Sequence, residues 1–186
     1  MKRMIPILLA GLICLTGIEA ADLQAGLLGG IRTVADSDMS DVYGSGLWLT
    51  PCISLKINPN IAVGLGFSLG YSKDEPIGVL DDDSSFTMSV LELFGRYRFE
   101  AGKMNPYLKL GLGLAFYSQA IAAAGIDFSE SALNVRLAGG VEYPLSDVFS
   151  LIGELGYTIL SVEPLDEKVN LGGFSIQLGI AYNFTL

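Results

Sequence analysis

Histidine is absent from all 186 residues. The commonest general base and metal ligand is therefore missing, and no enzymatic activity, metal or cofactor is expected. Cysteine is nearly absent as well: there are two, Cys14 and Cys52. Basic residues are scarce, 11 against 20 acidic ones, for a net charge of −9, which excludes nucleic acid as a partner. Long apolar runs are missing too. Beyond the N-terminus no stretch approaches the ~20 apolar residues that a membrane-spanning helix needs. Yet 51% of the chain is hydrophobic and its mean hydropathy is +0.49, a high value for a soluble protein.

The N-terminus accounts for only part of that hydropathy. Lys2 and Arg3 form a basic start, residues 5–15 an apolar core, and Ile18-Glu19-Ala20 a cleavage motif. Together they predict a signal peptide over 1–20, followed by one domain over 21–186. Cleavage leaves Cys52 without a partner for an intramolecular disulfide, so it is expected to be an inert packing residue.

The rest of the hydropathy lies in stripes of period 2. In 105–118, Leu108, Leu110, Leu112, Leu114 and Phe116 alternate with Tyr107, Lys109, Gly111, Gly113, Ala115 and Tyr117. The same alternation runs through 61–72, 132–143 and 171–184, and with more noise through 22–34, 42–57, 85–99 and 149–160. Alternation is the mark of a strand with one apolar face. Eight strands of about 12–16 residues follow, longer than the usual five or six of soluble sheets. Pro51 sits inside the second and cannot donate to a ladder, so a bulge or break is expected there. Long connections (35–41, 73–84, 119–130, 161–168) alternate with short turns (58–60, 100–104, 144–147). All long loops therefore share one end of the sheet.

Period 2 does not by itself say which face is inside. The non-oily face is mostly Gly, Ala and Ser, which suits the cramped interior of a narrow barrel better than a solvated surface. Its charges are of mixed sign: Arg32, Lys56, Arg96, Arg98, Lys109 and Arg136 against Glu92, Glu142 and Glu154. Aromatics mark both strand ends, with Tyr97, Phe99, Tyr143, Phe149, Tyr182 and Phe184 near the turns and Tyr43, Tyr71 and Phe116 near the loops. The expected fold is all-β: a closed, eight-stranded, antiparallel, up-and-down transmembrane barrel with its oily face toward lipid. Closure is required because lipid cannot satisfy an unpaired strand edge. A charge network of Glu92, Arg96, Lys109, Arg136, Glu142 and Glu154 is expected in the interior, as a satisfied polar plug.

Three stretches carry a family likeness. "NPYLKLGLGLAF" (105–116) is similar to the fifth strand of small outer-membrane β-barrels of the OmpA/OmpX type, within the outer membrane protein β-barrel domain family. "GVEYPLSDVFSLIGELGY" (140–157) resembles that family's turn between strands six and seven. "QLGIAYNF" (177–184) resembles its C-terminal assembly signal, on Gln177, Gly179, Tyr182 and Phe184. The resemblance implies the cell outer membrane as location. It implies a monomer among outer-membrane lipid and lipopolysaccharide, handled by the barrel-assembly machinery. The implied role is structural or one of surface interaction, with acidic extracellular loops and an extracellular partner that the sequence does not identify. Within those loops Asp81-Asp82-Asp83 reads as a solvated acidic stretch, since its spacing is not that of an EF-hand. Two alternatives stand beside this reading: a narrow, porin-like ion channel, and a soluble periplasmic lipocalin-like barrel with its oily face around a ligand.

Overall fold

The computed structural model describes residues 22–36, 40, 44–70, 73–77, 82–121, 126–162 and 169–184. The expected signal peptide (1–20), Tyr43, Tyr71 and the acidic Asp81 and Glu163 lie outside them. Among the described residues ten strands form: β1 (Leu23–Thr33), β2 (Ser45–Lys56), β3 (Ile61–Gly70), β4 (Lys73–Ile77), β5 (Asp82–Arg98), β6 (Asn105–Ile121), β7 (Ile126–Pro144), β8 (Phe149–Val162), β9 (Val169–Asn170) and β10 (Gly173–Phe184). Eight of them close a barrel. The antiparallel order β1-β2-β3-β5-β6-β7-β8-β10 returns to its start, because β10 pairs with both β8 and β1. Among the described residues, strands β4 and β9 pair only with β5 and β8, as short additions at the loop end.

The register fixes the barrel's width. From Gln24 the cross-strand path runs through Ser54, Gly64, Phe94, Gly111, Arg136, Thr158 and Gly173. Gly173 lies two steps beyond the Arg32–Ser175 pair, beside Val34, so the path returns to β1 ten residues up from Gln24. With ~3.3 Å per residue and ~4.8 Å between strands, eight strands at that stagger tilt by about 40° and enclose a backbone radius of about 8 Å. Side chains from facing walls therefore meet at the axis.

Burial follows the alternation with the apolar face outside. Leu108, Leu110, Leu112 and Leu114 are exposed, as are Leu133, Leu155 and Leu178, while Tyr107, Lys109, Ala115 and Tyr117 are buried. The stripe therefore faces away from the barrel, where only an apolar medium stabilises it. A soluble barrel holding a ligand against its oily face would need the opposite orientation and is excluded. At the turn end Tyr97, Phe99, Tyr143, Phe149, Tyr182 and Phe184 all face outward. Three edge-on pairs hold the belt together: Tyr97–Phe99, Phe149–Tyr182 and Tyr182–Phe184, with centroids 4.5–5.1 Å apart.

Three expectations are corrected. Strand β2 runs unbroken through Pro51, which pairs with Leu27 on β1. No bulge forms, since the β2–β3 register is the same on both sides of Pro51. Only the β3 side of the ladder lapses at residues 50–51, where the missing N–H would point, and Thr50 and Ser68 hydroxyls bridge that gap at 3.0 Å. Next, much of the supposed loop 119–130 is strand, because β6 runs to Ile121 and β7 starts at Ile126. Likewise 73–84 is partly a hairpin of β4 on β5. Barrel strands thus range from 10 to 19 residues rather than about 12–16. Outside the membrane no lipid imposes a one-sided oily stripe, so these extensions lack the alternation that marks the rest.

Candidate functional site

Polar residues are confined to the barrel interior by the same alternation that exposes the leucines, and two polar clusters lie along the axis. The one at the turn end is built on Glu142 of β7, only 2% exposed. Gln24 Nε2 donates to Glu142 Oε1 and to Asn183 Oδ1, both at 2.9 Å. Arg96 Nη2 donates to Gln24 Oε1 at 2.6 Å. The guanidiniums of Arg96 and Arg98 lie 3.8 and 3.9 Å from Glu142 Oε2, near enough for attraction but beyond a hydrogen bond.

The second cluster, farther up the axis, is built on Glu154 of β8. Its carboxylate accepts from Arg136 Nη2 at 2.8 Å, Tyr107 OH at 2.9 Å and Lys109 Nζ at 3.4 Å. Lys109 also lies 3.5 Å from Glu92 and stands over the Phe94 ring at 4.6 Å. Arg136 Nη2 donates further to Gln177 Oε1 and Ser175 Oγ, and Gln177 Nε2 donates to Thr50 Oγ1. Apart from Arg98, none of these charges is more than 8% exposed. Buried charges at this depth are tolerated only when paired and hydrogen-bonded.

Arg136–Glu154 and Lys109–Glu92 join neighbouring strands, but other partners are not neighbours in the sheet. Lys109 stands opposite Arg96 on β5 and Ala138 on β7, and reaches Glu154 on β8 across the lumen. Missing side chains open that path. A Cβ on Gly140 would strike the Tyr107 ring, one on Gly111 the Glu92 carboxylate, and one on Gly156 the Arg136 guanidinium.

Above the charges, toward the loop end, lies an apolar cap of packed residues: Trp48, Phe86, Met88, Val90, Ala115, Tyr117, Leu160, Val162 and Leu171. Arg32 joins the two regions. Its guanidinium stacks on Trp48 at 4.7 Å and its Nη2 donates to Leu171 O at 3.0 Å. Cys52 packs nearer the turn end, against Leu28, Tyr107, Ile152 and Ala181.

The six charged residues singled out from the sequence thus fall into the two clusters, Arg96 and Glu142 in the first and Glu92, Lys109, Arg136 and Glu154 in the second. The C-terminal quartet divides between faces. Gln177 and Gly179 point inward, Gln177 as a partner of Arg136, while Tyr182 and Phe184 belong to the outer aromatic belt. Sequence reasoning missed Gln24, Tyr107 and Thr50 as network members. Their parity matches that of the charged residues, and that signal could have found them.

The family model described as outer membrane protein beta-barrel domain matches residues 8–184. Among solved structures, the chain is similar to Neisserial surface protein A, with 16% identity over 89% of this chain and 100% of that one, at a TM-score of 0.65. It is also similar to the outer membrane protein OprG of Pseudomonas aeruginosa, with 14% identity over 90% and 97% and a TM-score of 0.67. A third similar structure is Ail, the attachment invasion locus protein of Yersinia pestis, with 16% identity over 90% and 100% and a TM-score of 0.58. At such identities the likeness carries the fold alone. No curated protein sequence matches the chain.

Proposed function

The chain belongs to the outer membrane protein beta-barrel domain family and resides in the outer membrane, and from that premise we propose that it is a non-catalytic, closed barrel with a structural or surface-interaction role. Its interior is a polar plug and its long loops present acidic side chains to the outside. The observation that carries this reading is the interior itself: paired charges from Glu142 up to Arg136, with the apolar cap above them. An eight-stranded barrel leaves no water-filled bore when its lumen is packed in this way. The closed sheet leaves no unpaired edge through the membrane, which favours a monomer among lipid and lipopolysaccharide. Tyr182 and Phe184, at the end of the last strand, are the part of the C-terminal quartet accessible to the assembly machinery.

Planar-bilayer recording of the purified barrel tests the plug. Silence at the parent's ion pairs, with conductance appearing only when Glu154 or Arg136 is replaced, is the expected result. Steady conductance of the parent, abolished by altering Glu92 or Arg96, would overturn it in favour of a narrow ion channel. One observation gives that second reading its weight: Lys109 sits almost equally far from Glu92 and Glu154, at 3.5 and 3.4 Å, and so has two carboxylates to choose between.

A further inference from the structure

Between the charged network and the apolar cap lies a space of about 10 Å³, lined by Arg32, Trp48, Val90, Glu92, Asn134 and Arg136 among others. Three of those residues carry buried polar atoms that have no hydrogen-bond partner among the described residues: Arg32 Nε, Arg136 Nε and Asn134 Oδ1. Each residue is more than nine-tenths buried. Buried polar atoms are almost always satisfied, so orphans on three residues that line one void point to a ligand of matching chemistry.

The inventory is specific. Two N–H groups need an acceptor and one amide oxygen needs a donor. A cation would face two guanidiniums against the single Glu92 carboxylate and could not accept from either Nε–H. A halide could accept from both Nε–H groups but would leave Asn134 Oδ1 unpaired. Water does both, and a space of about 10 Å³ admits roughly one molecule, with the two to four polar partners that a buried water needs. We propose that this space is a water site, in which a single ordered water accepts from Arg32 Nε and Arg136 Nε and donates to Asn134 Oδ1, joining the charged network to the underside of the cap. Trp48 and Val90 belong to the cap and also line the space, so the molecule lies directly beneath the cap.

A crystal structure of the full barrel grown in bromide tests this. Density within hydrogen-bond reach of all three atoms, without an anomalous signal at the bromine edge, is the expected result. An anomalous peak there would overturn water in favour of an anion, and well-ordered side chains around featureless space would overturn both. Asn134→Leu, which fills the space and removes the acceptor, should lose the density, with folding of the variant checked by comparing its mobility on detergent gels with and without heating. Density that survives the substitution would mean Asn134 is not a ligand. Conductance bears on the plug alone, so a conducting barrel would leave the water site standing.

Discussion

Glu154→Gln removes one negative charge and almost no volume. In the parent this carboxylate faces Arg136 at 2.8 Å, Lys109 at 3.4 Å and the Tyr107 hydroxyl at 2.9 Å. Stripping one partner from a buried pair typically costs about 3–5 kcal/mol, because the remaining charge is left without compensation. Two things moderate that here. Arg136 keeps Gln177 and Ser175, and Lys109 keeps Glu92. A cost of about 3 kcal/mol follows, at the low end of that range. With a urea slope of ~1–3 kcal/mol per molar, the unfolding midpoint in phospholipid vesicles should fall by roughly 1–3 M. The assay is tryptophan fluorescence from Trp48, the chain's single tryptophan, which lies inside the barrel. Adding Arg136→Met to Glu154→Gln removes the cation whose anionic partner was Glu154, so the double variant should recover part of the loss through a coupling term. A midpoint for Glu154→Gln within error of the parent would refute the reasoning, since the carboxylate would then not be compensating buried cations.

Leu112→Lys puts a charge on the lipid-facing stripe and should cost about 2–4 kcal/mol at the bilayer midplane, read by the same urea titration. Pro51→Val restores an N–H toward β3 and should add about 0.5–1.5 kcal/mol, with new hydrogen-exchange protection at residue 51. Alanine at both Tyr182 and Phe184 should slow assembly, seen as unfolded protein persisting on unheated gels, with little change in the stability of what does fold.

Much of the fold is legible because the bilayer writes it into the chain. Lipid on one side and a narrow lumen on the other force Leu108 to Phe116 and Tyr107 to Tyr117 into strict alternation, and the same pressure marks all eight barrel strands. The legibility stops where the pressure stops. Residues 119–121 and 126–130 extend β6 and β7 past the striped region, and the run from Gln119 to Gly125 carries alanines instead of an alternating pattern. Pro51 misleads for a different reason. Its cost is confined to one of its two ladders, and which ladder it faces is a matter of pairing rather than composition.

The interior shows the same division. Parity along each strand, readable from the sequence, puts Glu92, Arg96, Lys109, Arg136, Glu142 and Glu154 on the non-oily face. Their pairing is not readable, because Lys109–Glu154 and Arg96–Glu142 link strands that do not touch, and Arg136–Glu154 and Lys109–Glu92, on adjacent strands, depend on register. The ten-residue stagger of the closed barrel brings Lys109 of β6 level with Glu154 of β8, and Arg96 of β5 level with Glu142 of β7. The sequence alone determined eight alternating strands, an outward oily face and a small-residue lumen, since each is a local response to lipid or to crowding. Only the tertiary structure decided which charges meet, that an apolar cap lies above them toward the loop end, and that Arg32, Asn134 and Arg136 line one space. Those depend on stagger and closure, which belong to the whole barrel and to no single strand.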